Sequence, residues 1–125
     1  MQTIRQITDE REVNVGMILM CIYICDTIKS DAKVGDNCLI YRVFSKPYPY
    51  QKGDSGINGH LCFNSKYIWP DKTESNIDFH FLNDMGITLT PYNDNRSYII
   101  KEELIPTIRE MTFQQFVKMV ESNLN

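Results

Sequence analysis

His60 and Cys62 stand two positions apart, and so do Asp78 and His80. Side chains two apart on a strand point to the same face. If the two segments pair in register, the four groups gather on one patch. Nitrogen, sulfur and oxygen donors in that number form a set that zinc accepts. The same residues supply a Cys/His pair, in which an imidazole activates a thiol. One expectation is therefore a metal-dependent or thiol enzyme, with His60, Cys62, Asp78 and His80 as its site and zinc as its cofactor. The plainer account makes them the polar face of a half-solvated sheet. Leu61, Phe63, Ile77, Phe79 and Phe81 then form the core side, and no cofactor is needed.

A second group of residues points to binding. Tyr48, Tyr50 and Trp69 lie at loop or strand ends, next to Pro47, Pro49 and Pro70. Exposed tyrosine and tryptophan are over-represented among the anchors of protein interfaces. The loop that carries the tyrosines, residues 45–59, is long enough to suggest a functional role. The alternative is that these rings fold back and cap the edge of the core. Lys46, Lys52 and Lys66 are near them in sequence, but clustered arginines are absent, which argues against a nucleic-acid platform.

Two further patterns carry less. Gly53-Asp-Ser-Gly56 repeats the string around the nucleophile of trypsin-like serine proteases, but the chain is too short for that fold and lacks its order of His and Asp. As a phosphate cradle it lacks GxxxxGK[ST]. Cys21 and Cys25 could join Cys38 or Cys62 in a thiolate site, yet their apolar neighbours favour packed core thiols. Paired carboxylates for acid–base chemistry cannot be placed, because the acids are scattered.

The elements that must position these groups follow from periodicity. Residues 13–28 form the densest apolar stretch. Thr8, Asp9 and Glu10 ahead of it resemble a helix start, with acids opposing the dipole. Lys29, Lys33 and Gly35 resemble a helix end. Met17, Cys21, Ile24 and Ile28 recur at helical spacing, so a long helix over residues 9–32 is expected, with Val13, Val15 and Gly16 as its weak points. Strands are expected at 38–44, 60–64, 66–69, 77–82, 86–90 and 96–100. Residues 113–122 read as a helix, with Thr112 and Gln115 at capping-box spacing and Met111 and Phe116 as its staple. The expected fold is α+β: an antiparallel meander of four to five strands, packed with a long N-terminal helix and a short C-terminal one.

Length and composition set the class. The chain has 125 residues, 42% of them hydrophobic, and a net charge of −3. That is one domain with an ordinary core, 1–125. The four cysteines match no disulfide framework, which suits a cytoplasmic protein. The apolar run is shorter than the roughly 20 residues of a membrane span, so no membrane partner is expected. Ala32 is the one alanine, amid many Ile, Asn and Lys, a usage typical of an AT-rich phage, mobile element or low-GC bacterium. The leading functional expectation is a small acidic, non-enzymatic domain that binds another protein of basic character. An immunity-type or phage-encoded inhibitor acting by steric occlusion is the specific form, with Tyr48, Tyr50 and Trp69 as anchors. A homo-oligomeric structural subunit is the third.

Overall fold

The densest apolar stretch is a strand at the centre of a sheet, not a helix. In the computed structural model, which describes residues 4–23, 29–52, 56, 58–88 and 94–123, the first strand, β1, is Ile4–Ile7 and the second, β2, is Ile18–Tyr23. The helix start read at Thr8–Glu10 is real but brief. Asp9 caps a single 3-10 turn, Glu10–Glu12, by accepting the Arg11 N–H at 2.9 Å. The chain then returns to extended geometry at Val13 and turns at Gly16 with φ +91°. β-branched residues and glycine lower helix propensity, and the long apolar run suits a strand covered on both faces.

β3 is Cys38–Val43, β4 Tyr48–Pro49, β5 Leu61–Tyr67, β6 Asp78–Phe81 and β7 Asn95–Ile100. All pairings are antiparallel, and the sheet curls into a half-barrel. Its order is β1-β7-β2-β3-β5, and β5 carries both β4 and β6. β7 inserts between β1 and β2, so the sheet is not the simple meander expected. Residues 61–67, read as two pieces, form one strand. Residues 86–88 lie in and after a turn, and 89–90 fall outside the described residues.

The sheet packs on both faces. Ile18, Met20 and Ile22 face Ile40, Tyr98 and Ile100, and this side is closed by Ile108 of α1 (Ile105–Glu110) and Phe116 of α2 (Phe113–Asn123). Leu19 and Cys21 face Tyr41, Val43 and Phe63, and this side is closed by Val13, Leu82, Met85 and Ile87. Helical cover is thus C-terminal and modest. Pro106 stands in the first turn of α1, where its missing N–H costs nothing, and does not interrupt it. The capping box forms as expected: Gln115 N–H donates to Thr112 Oγ1 at 3.1 Å, and Thr112 N–H donates to Gln115 Oε1 at 3.0 Å. No described helix is long and apolar enough to cross a membrane.

Candidate functional site

β5 and β6 decide where the sequence-picked residues go. Their register sets Cys62 opposite Phe81, Phe63 opposite His80, Asn64 opposite Phe79 and Ser65 opposite Asp78. Directly opposed residues point to the same face. His80 and Asp78 therefore share a face with Phe63, while Cys62 shares the other with Phe79 and Phe81. The expected His60–Cys62–Asp78–His80 patch is split between the two faces of the sheet. Among the described residues no group of three or more His, Cys, Asp or Glu is placed to hold a metal ion.

Each of the four has another role. His60 is exposed ahead of β5, and its carbonyl accepts the Tyr50 N–H at 2.8 Å. Cys62 is fully buried, its sulfur 3.6 Å from the Tyr48 carbonyl. Asp78 is exposed and accepts the Phe79 N–H at 2.8 Å. His80 is half-buried, its ring 4.5 Å from that of Tyr41 and 6.3 Å from that of Phe63. Burial holds its pKa below the ordinary histidine range, against the pull of Asp78 and Asp84. The other thiols are packed too: burial pushes Cys21 and Cys38 up to about 11. Cys25 and most of the Gly53–Gly56 string lie outside the described residues.

The aromatic anchors divide as well. Tyr48 stands opposite Cys62 and donates its hydroxyl to Asn64 Oδ1 at 2.6 Å. The Tyr50 ring lies 5.4 Å from that of Phe79 and 5.3 Å from that of Phe81. Trp69 follows the far end of β5, roughly 20 Å along the strand direction from Tyr48, and packs edge-on to Tyr67 at 4.3 Å. Phe79 and Phe81, assigned from sequence to the core side, form an outward row with Tyr50. Phe79 is 41% exposed and the neighbouring Ile77 55%. Alternation revealed that β6 has two faces, but the inward one depends on its partner strand.

β6 is also an edge. Among the described residues it pairs only with β5. The Leu82 N–H donates to the Leu61 carbonyl at 3.1 Å. Alternation of an antiparallel ladder then makes Phe63–His80 a hydrogen-bonded pair and leaves the backbone groups of Phe79 and Phe81 directed outward. The Phe79 N–H is the one taken by Asp78.

Beside that edge is a cleft of about 430 Å³, lined by Tyr23, Tyr41, Phe79, His80, Phe81, Asp84, Met85 and Asn95. Since the rings of Phe79 and Phe81 turn to the opposite face, their strand edge is what borders it. The turn after β6 forms its wall and is pinned to β7. Ser97 Oγ donates to the Met85 carbonyl at 2.6 Å, and Asn95 Nδ2 donates to the Asp84 carbonyl at 2.8 Å. Gly86 sits at φ +71°, close against the Asn95 carbonyl, where no Cβ fits. Tyr41 is buried at the floor with the Tyr23 hydroxyl as its hydrogen-bonding partner, and burial first and that bond second hold its pKa far above the ordinary phenol range. None of Tyr23, Tyr41, Asp84 or Asn95 was marked in sequence, because their convergence needs the β2–β7 pairing and the turn together.

The model of a family described as "Phage g100-like protein" matches residues 7–103. No curated protein and no solved structure matches.

Proposed function

The chain belongs to the phage g100-like protein family, and from that premise we propose that this phage-related protein acts by binding an extended segment of another protein along the open edge of β6. The observation that carries this reading is the outward aromatic row Tyr50–Phe79–Phe81 on a strand whose outer edge is unpaired among the described residues. Strand addition uses such an edge for main-chain hydrogen bonds and neighbouring rings for side-chain contacts. Among the described residues, the outward N–H of Phe81 and the carbonyls of Phe79 and Phe81 take no ladder partner and face the open edge. Tyr50 supplies a ring at the same place, as expected of an interface anchor. Occluding the surface from which that segment comes is the inhibitory consequence.

Charge supports a different protein over a second copy. Asp78 opens the strand, Asp84 follows it, and the chain carries −3 overall. Two β6 strands paired antiparallel would bring these acids together, and like charges across a ladder are destabilising.

The test is capture from a lysate of the encoding phage's host, using immobilised wild-type protein, Phe81→Ala and Phe81→Pro. Proline removes an N–H that faces the open edge and leaves the ladder to β5 intact. The expected result is a stoichiometric partner on wild type, weakened with Phe81→Ala and lost with Phe81→Pro. Equal capture by all three overturns strand addition. A dimer of the wild type that Phe81→Pro converts to monomer would overturn the reading in favour of a second copy.

A further inference from the structure

We propose that Asp78 sets the specificity of the open edge: it admits an added strand with a basic side chain, lysine or arginine, directly opposite Asp78, and turns away a strand with an acid there. The inference rests on the strand-addition reading and names what the added segment must present.

The carboxylate already stands where the new ladder would begin. The Phe79 N–H points out of the β5–β6 ladder toward the open edge, and Asp78 Oδ1 accepts it at 2.8 Å. An added strand needs that N–H as a donor. Its own carbonyl must therefore displace the carboxylate, a charged group held in front of an unpaired edge.

The displaced group then meets the added strand at short range. Phe79 and Phe81 direct their backbone groups outward, so the residues opposite them would form the hydrogen-bonded pairs of the new ladder. The residue opposite Asp78 would form the other, closer kind of pair, with Cα atoms about 4.5 Å apart. Its side chain lies on the same face as the carboxylate.

Little on the protein itself answers that charge. Among the described residues, no salt bridge engages Asp78. Lys66 of β5 alternates with Asn64 and Cys62 on the opposite face, and its ammonium lies over the Phe44 ring. His80 shares the face of Asp78, but burial favours its neutral form. Asp78 is exposed in the free protein, and water solvates it. A strand laid against it removes part of that water. Covering a charge without a partner is costly, an acid opposite it adds repulsion, and a basic group compensates it.

The pairing also fixes the order of residues in the segment. All pairings in this sheet are antiparallel. An antiparallel addition reads, from its N-terminus, opposite Phe81, His80, Phe79 and Asp78 in turn. The first and third of these positions face the Tyr50 row and suit apolar side chains. The fourth is the basic one.

Two acetylated and amidated hexapeptides, TVTVKT and TVTVET, provide the test. Each sets valines opposite Phe81 and Phe79, and lysine or glutamate opposite Asp78. They are titrated into the full-length wild type, Asp78→Ala and Asp78→Lys, while the amide resonances of Phe79 and Phe81 are followed by NMR. On wild type the lysine peptide is expected to shift both amides, with the glutamate peptide at least about fivefold weaker. Asp78→Lys should reverse the preference, and Asp78→Ala should take both peptides alike. Equal affinity of wild type for the two peptides overturns the inference, as does a lysine preference that survives in Asp78→Lys. The comparison on wild type stands even if a variant misfolds. Failure here is distinct from failure of the edge reading. If Asp78→Ala takes both peptides while wild type shows no preference, the specificity role falls alone. If neither peptide moves these amides even in Asp78→Ala, strand addition itself falls, and this inference with it.

Discussion

Cys62 stands directly across the β5–β6 ladder from Phe81, so its thiol shares a face with that ring and not with His80. The pairing seals the sulfur under the tyrosine and phenylalanine rings. It also gives the opposite face of β6 to His80 and Asp78. The partition between a covered thiol, an outward aromatic row and an aromatic–acidic cleft follows from this one register.

Thiol labelling should reflect that cover. Cys21, Cys38 and Cys62 are buried, and burial pushes the first two up to about 11. A thiol is nucleophilic only as thiolate. Treatment of the native protein with iodoacetamide at pH 8, followed by peptide mass mapping, should leave these three unmodified. Labelling should appear at all three in denaturant. Rapid native labelling of Cys62 would contradict the packing of Tyr48 over it.

His80 should make stability depend on pH. Its pKa is lowered in the folded state, so the unfolded chain binds a proton first. Stability is then fully present above the ordinary histidine value of about 6.5 and declines as pH falls through and below it. Urea midpoints measured from pH 7.5 to 5 should drop over that window, and His80→Gln should flatten the drop. An unchanged slope in His80→Gln would assign the dependence elsewhere.

Gly86→Ala should be severe. The glycine has φ +71°, and a Cβ there would collide with the Asn95 carbonyl. The turn must move off β7, loosening the bonds from Ser97 and Asn95. A loss of about 2 kcal/mol or more is expected in urea unfolding. Resonances of Asn95 and Ser97 should shift most. Gly16→Ala makes a useful contrast: its φ of +91° is also strained, but nothing lies within 4 Å of the added carbon.

Thr112→Ala should cost about 0.5–2 kcal/mol, the usual value of an N-cap. Thr112 both accepts the Gln115 N–H and takes part in an isolated bridge with Lys33. Because α2 closes only one face of the sheet, amide resonances of the turn after β6, on the other face, should stay unmoved in this variant. Shifts at Met85 or Ile87 would link α2 to the cleft on the opposite face.

Patterns whose meaning lies within a few residues were legible in the sequence. Thr112 and Gln115 form the capping box their spacing announces, Asp9 caps the turn it precedes, and the alternation at residues 77–82 marks β6. These depend on hydrogen bonds and sterics between near neighbours, which residue order determines. The expected long helix over 9–32 failed because a strand buried on both faces has no alternation, and a continuous apolar run satisfies helical spacing equally well. Only the pairing of β2 with both β3 and β7 resolves that ambiguity. The site failed to show for a related reason. His60, Cys62, Asp78 and His80 obey period two within each strand, but the relative phase of two strands is set by long-range packing. Phe63 is buried in the inner core, and its opposite partner must face the same way; that partner is His80, so Phe79 and Phe81 turn outward. Composition and local order thus determined a small acidic chain with its capped helix and its alternating strand. Tertiary structure decided the register, the open edge and the cleft, because those arise from contacts between residues far apart in the chain.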